Sequence, residues 1–270
     1  YEVARKASNS FCRCIYLVPP HIDKHEELVV DTLGDCRHQE HALQLVTTYP
    51  SQKTWKAALC KHPYLLHNAP EELRTNEPFL KEIVKNTSAI FKFCPLEFHN
   101  NKQFVTEYLI SNCLSVAPPN NGRDMPIELS KDKEFAMEAC KQNGICLKAL
   151  PYFKTDRDVV ITAVSNNGKY LTLASSELRE DLEIIRIAVQ NNGNIIGNIN
   201  NKILEENPDI IVHAIIQSGS EALKRIPKQF ASNFEIAKQV RIHRAECLSF
   251  FEPHIQKQVI KSATLKSARK

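Results

Sequence analysis

Cysteine and histidine are the residues of this sequence best suited to chemistry, and they are unevenly placed. The 270-residue chain carries nine cysteines and ten histidines. Seven of them fall within residues 1–50: Cys12, Cys14, His21, His25, Cys36, His38 and His41. Thiolate and imidazole together are the ligand set of a structural zinc site, and His21 and His25, four residues apart, fit one helix face. Two features argue against zinc. A single residue separates Cys12 from Cys14 where two to four are usual, and Pro19 and Pro20 interrupt any regular helix. A cysteine nucleophile with a histidine base, Cys36 with His38 or Cys12 with His21, is a second candidate, but no local signature surrounds any cysteine. Residues 1–50 therefore read as an N-terminal capping segment with exposed histidines and half-buried thiols. No catalytic residue, metal site or cofactor is assigned.

Composition sets the frame around those residues. With 43% hydrophobic and 24% charged residues the chain is long and apolar enough to bury a sizeable core. An odd number of cysteines at irregular spacing points to thiols in a reducing compartment, hence an intracellular, soluble protein. No run approaches the length of a membrane helix and no signal segment opens the chain. A chain opening at Tyr1 rather than methionine is expected to be a piece of a longer protein. Thirty-five basic against 31 acidic residues leave a net charge of +4, interleaved along the length. Lys257, Lys261, Lys266, Arg269 and Lys270 form a basic C-terminus, read as a solvated tail rather than a nucleic-acid footprint.

The strongest signal is self-similarity. Eight units start at Ser51, Asn76, Asn101, Asp132, Asp156, Asp181, Asn207 and Asn233, at intervals of 25, 25, 31, 24, 25, 26 and 26 residues. Each start is a residue whose side-chain oxygen can accept from the unpaired amides of a helix N-terminus. An acidic residue often follows two places on (Glu134, Asp158, Glu183, Asp209, Glu235), at the positive end of the helix dipole. Apolar residues recur four places after the start (Trp55 through Ala237) and seven places after (Ala58 through Val240), one stripe on a three-turn helix. The repeated alanine at the seventh place predicts close approach of another helix backbone.

Gly144, Gly168, Gly193 and Gly219 stand twelve places after their starts and are expected to end each helix in the left-handed conformation. A second, shorter helix should follow, because the fifteenth place is apolar in all eight units, from Leu66 to Leu248. Another apolar residue three places before the next cap, such as Phe98, Phe153 or Leu204, is expected to pin the entering chain. The Asn-Asn-Gly steps thus read as helix ends, not phosphate loops, which need a strand before the glycines. Pro118 to Arg123 is a turn-forming insertion that lengthens one interval.

From Asp132 to Asn233 the units Asp-Lys-Glu-Phe-Ala-Met-Glu-Ala-Cys-Lys-Gln-Asn-Gly, Asp-Arg-Asp-Val-Val-Ile-Thr-Ala-Val-Ser-Asn-Asn-Gly and Asp-Leu-Glu-Ile-Ile-Arg-Ile-Ala-Val-Gln-Asn-Asn-Gly resemble a short helical repeat family of unknown function. Ser175, Ser176, Glu177 and Leu178 look like its linker. Members of that family occur in effector-like proteins of amoeba-dwelling intracellular bacteria, in protists and in giant viruses. The resemblance implies an intracellular binding module, with translocation into a host cell, and attaches no catalytic residues. The Asn233 unit departs from it, with Arg241 and Ala245 where an apolar residue and glycine belong. Pro63 to Leu66, Pro-Tyr-Leu-Leu, resembles helical repeats of mitochondrial termination factors over that tetrapeptide alone.

The expected architecture is all-α: about eight two-helix repeats of roughly 25 residues in an α-solenoid-like array. Residues 1–50 are the cap, 51–260 the repeat domain and 261–270 the basic tail. Such an array binds extended peptides or domains, through its second helices or the Pro118–Arg123 loop. The expected function is a non-enzymatic protein-interaction scaffold. A nucleic-acid-binding solenoid and an accessory domain of a larger enzyme are the alternatives. The partner's identity and the oligomeric state are not written in the sequence.

Overall fold

A computed structural model describes residues 25–35, 39–114 and 125–267. The fold is all-α, with no strand among the described residues. The chain forms two compact units, residues 1–129 and 130–270. Numbering only helices of ten or more residues, the first unit contains α1 (His25–Asp35), α2 (Gln39–Thr48), α3 (Gln52–Lys61), α4 (Glu77–Asn86) and α5 (Lys102–Leu114). The second contains α6 (Lys133–Gln142), α7 (Arg157–Asn166), α8 (Leu182–Asn191), α9 (Pro208–Ser218), α10 (Phe234–His243) and α11 (Pro253–Ser267).

The helices begin where the cap residues place them. Ser51, Asn76, Asn101, Asp132 and Asn233 each accept from the amide three residues on, at 3.0 to 3.2 Å. The Asp156 and Asp181 carboxylates each accept from two amides, those two and three residues on. Asn207 departs from the pattern: Pro208 removes the first helical amide, and the Asn207 side chain donates instead to the Ile203 carbonyl. Every residue four or seven places after a start is at most 2% exposed. Burial of this stripe, rather than helix propensity, holds ten-residue helices that would be marginal alone.

The second, shorter helix of the repeat is present and is of the 3₁₀ type. Pro63–Asn68, Ser88–Phe93, Gly144–Ala149, Gly168–Leu173, Gly193–Asn198 and Ala245–Phe250 are 3₁₀ segments. Several lead, through an extended residue such as Ala174, into a single α-turn such as Ser176–Arg179. At three residues per turn, side chains at i and i+3 eclipse one another. The apolar pair at the fourteenth and fifteenth places, Cys146 with Leu147, Tyr170 with Leu171 and Ile195 with Ile196, therefore faces inward as one ridge. In the last unit Cys247 is buried and Leu248 only half-buried.

The glycines also do different work from that expected. Gly219 alone among the described glycines has positive φ, at 55°. Gly144, Gly168 and Gly193 lie instead against the backbone of the following repeat. A Cβ added to them would stand 2.5, 2.1 and 2.4 Å from the carbonyl oxygens of Ala163, Ala188 and Ala214. Those are the seventh-place alanines, so the close approach predicted for alanine is real, and its partner is the glycine of the preceding repeat.

An asparagine clamp locks two of these joints. Asn166 accepts from the Gly144 amide (3.0 Å) and donates to the Lys141 carbonyl (3.1 Å). Asn191 does the same for Gly168 (3.1 Å) and Ser165 (2.8 Å). The next asparagine caps the 3₁₀ segment that follows it: Asn143, Asn167 and Asn192 accept from the amides of Ile145, Lys169 and Asn194. The Asn-Asn-Gly step thus divides into a clamp to the previous repeat, a cap for its own, and a bare Cα for the next.

The first unit solves the same problem with rings. Ser88 stands at the glycine place and Tyr108 at the alanine place. Phe91 stacks on Tyr108 at 3.9 Å with 12° between planes, and Phe98 packs on Phe104 at 5.0 Å. Asn112, fully buried, donates to the Tyr108 hydroxyl at 3.4 Å.

Two substitutions separate the contact from glycine content as such. Gly168→Ala is expected to cost about 2–3 kcal/mol, because the obstruction is backbone and cannot rotate away. Gly197→Ala, whose Cβ would meet only the Arg225 side chain at 3.2 Å, should change stability by less than ~1 kcal/mol. Urea unfolding of both variants measures the difference. Asn191→Ala, which strands the Gly168 amide, is expected to fall between them, at about 1–2 kcal/mol.

Candidate binding surface

Outward side chains of the 3₁₀ segments in residues 130–270, among them Ile145, Lys169 and Asn194 thirteen places after their starts, line a groove of 470 Å³ together with their neighbours. The segment Gly144–Ala149 contributes Ile145. From Gly168–Leu173 come Lys169, Tyr170 and Thr172; from Gly193–Asn198 and its cap come Asn192, Asn194 and Asn198; Arg225 closes one side. Three successive repeats and one residue late in a fourth thus share one depression.

Its chemistry is amide, aliphatic and cationic. The Lys169 ammonium lies 5.0 Å above the Tyr170 ring, whose hydroxyl donates to the Asn143 carbonyl oxygen at 3.0 Å. The Asn194 side-chain oxygen is shut off from solvent and accepts no hydrogen bond. No carboxylate lines this groove. Two other depressions differ. One of 620 Å³ between α1 and α3 carries Glu26, Glu27 and Asp31 opposite Lys53 and Lys56. One of 390 Å³ between α9 and α10 carries Asp209 and Glu235 with His213 and His243.

Most of the residues singled out for chemistry fall where the structure is not described. Cys12, Cys14, His21, Cys36, His38 and the His25 side chain lie outside the described residues, as does the Pro118–Arg123 loop. His41 sits on α2. Among the described residues no three of His, Cys, Asp or Glu converge as a metal site would require. The six described cysteines are thiols rather than disulfides. Burial pushes the Cys94 thiol up to about 12 and raises those of Cys60 and Cys247, the opposite of what an activated nucleophile needs. Cys140 lies on the apolar stripe, fully buried. Lys257 and Lys261 are exposed on α11. No helix among the described residues is long and apolar enough to cross a membrane.

Sequence reasoning missed the groove residues. Their signal was a three-residue recurrence of polar places after each glycine, Lys169 with Thr172 for example, which an α-helical reading scatters around the helix.

Along the α-helices a ladder of exposed ion pairs joins several successive repeats within each unit. In residues 130–270, Lys133 meets Asp156 (2.9 Å) and Asp158 (2.7 Å), Arg157 meets Asp181 (3.3 Å) and Glu183, and Arg186 meets Asp209 (3.0 Å). In residues 1–129, Lys53 meets Glu26, Lys56 meets Glu82, and Lys85 meets Glu107. Pairs this exposed add little net stability. The two cap carboxylates within the ladder are better placed. Partial burial raises the Asp156 carboxyl, but the Lys133 ammonium and the amides of Val159 and Asp158 outweigh it and hold it below the usual range. For Asp181 burial is likewise outweighed, by the Ile184 amide, the Arg157 guanidinium and the Glu183 amide.

Residues 156–204 match a family described as a domain of unknown function (DUF4116). The match spans two cap aspartates, both Asn-Asn-Gly steps and the middle of the groove, and covers less than a fifth of the chain. No curated protein and no solved structure matches the chain.

The lowered carboxyls give a pH signature. Asp156 and Asp181 stabilise the fold fully above the unfolded aspartate value, about 3.9, and that contribution is lost as pH falls through their lower folded values. Urea midpoints should fall between about pH 4 and pH 2, and less steeply in Asp156→Asn, which keeps a capping oxygen but cannot titrate.

Proposed function

We propose that this chain is a non-enzymatic protein-interaction scaffold that presents its 3₁₀ segments to a partner, as part of an effector acting inside a host cell. The observation that carries the first half is the groove, lined by side chains of consecutive repeats, with Ile145, Lys169 and Asn194 at equivalent places. A periodic row of amide, aliphatic and cationic groups suits an extended chain, whose own groups recur at fixed rise. Nothing in such a row needs a reacting atom held between an acid and a base. The second half is motivated by the likeness of Asp132 to Asn233 to repeats of effector-like proteins, and places the partner in the host.

The test is affinity capture from amoebal lysate by the full chain, with and without ribonuclease and at moderate salt. Retention of a defined protein that survives both treatments is the expected result. Retention of RNA alone, lost as salt rises, would instead favour a nucleic-acid-binding array.

A further inference from the structure

We propose that the groove formed by Gly144–Ala149, Gly168–Leu173 and Gly193–Asn198 takes a short extended peptide segment bearing acidic side chains. This deepens the scaffold reading and rests on it.

Charge is the first ground. Lys169 and Arg225 are the two charged residues of the groove, and no carboxylate lines it. Both are exposed, and neither forms an ion pair; Glu221, four residues before Arg225, pairs with Lys224 and feels the Arg225 guanidinium more weakly. Two other depressions each balance cations or imidazoles against carboxylates. The groove that crosses several repeats instead carries net positive charge, which would steer and hold carboxylates.

The second ground is independent of charge. The amide side chains of Asn194 and Asn198 line the groove. A primary amide both donates and accepts, as does the backbone that an extended chain presents at every second residue on one side. Ile145 and Leu173, both half-buried, add apolar surface for an intervening side chain.

These features select a peptide over a nucleic acid, the other polyanion. Two cations make no phosphate ladder, and Tyr170, the one aromatic of the groove, is 5% exposed with its hydroxyl engaged, so no ring is offered for bases to stack on.

The experiment uses the full chain and a fluorescein-labelled nonapeptide of three Glu-Leu-Ser repeats, with Gln and Lys counterparts, followed by anisotropy and by amide chemical shifts. The Glu peptide should bind about tenfold more tightly than the Gln peptide, with shifts concentrated in Gly168–Leu173 and Gly193–Asn198. The double variant Lys169→Glu, Arg225→Glu should lose about tenfold or more, whereas Lys141→Glu, Lys202→Glu, of equal net charge and outside the groove, should lose less than about twofold. All four positions are exposed, and unchanged thermal unfolding of both variants guards against misfolding. Equal binding of Glu and Gln peptides, shifts elsewhere, equal loss in the two double variants, or displacement of the peptide by an oligothymidylate of the same charge overturns the acidic-peptide assignment. The scaffold reading then stands or falls separately, on whether the lysate capture retains a protein.

Discussion

The contact on which residues 130–270 depend is between two backbones. A glycine Cα at the end of one helix lies against the carbonyl of an alanine in the middle of the next, at Gly144 with Ala163, Gly168 with Ala188 and Gly193 with Ala214. The glycine cannot gain a Cβ without pushing the pair apart. Because the alanine carbonyl also accepts the amide that closes its own helix, from Asn167 in one repeat and Asn192 in the next, the contact fixes where one helix ends relative to the middle of its neighbour. The asparagine clamp, the 3₁₀ segment and the following cap are all placed by that register.

The same register separates the two faces. Once the glycine is seated, the three-residue period of the 3₁₀ segment sends one ridge inward and leaves Ile145, Lys169 and Asn194 at equivalent outward places. A groove over several repeats is therefore a by-product of how the repeats are joined. Where the joint is built differently the surface changes with it. In residues 1–129, with Ser88 and Tyr108 at the two places, the 3₁₀ segments carry an aromatic patch, Tyr64 and His67 packing edge-on against Phe93.

What the residues declare in advance follows from how far each interaction reaches. Caps and the apolar stripe are local: Asp181 accepts from amides two and three residues on, and Ile185 and Ala188 lie one turn apart, so both were legible in the sequence. The role of glycine was legible only in part. A glycine closing a helix by a left-handed turn and a glycine pressed against a carbonyl twenty residues further on look alike in one dimension; Gly219 is the first kind and Gly168 the second. The groove was hidden for the same reason, since 3₁₀ and α periods cannot be told apart over six residues without the contact that selects between them. Histidine and cysteine density in residues 1–50 drew attention that the groove, made of unremarkable Asn, Lys and Ile, did not.

The ion-pair ladder carries a direction. Lys133 reaches the cap and the second residue of the next unit, Asp156 and Asp158, and Arg157 reaches the matching Asp181 and Glu183. Glycine, alanine and clamp asparagine repeat in step with it. A gene that lost the stretch between Asp156 and Asp181 would set Lys133 before the same pair of carboxylates and Gly144 before the same alanine as their present neighbours meet. Such a joint is indifferent to how many copies stand on either side, so unequal recombination can lengthen or shorten the array, and with it the groove along its 3₁₀ segments, without redesigning these contacts.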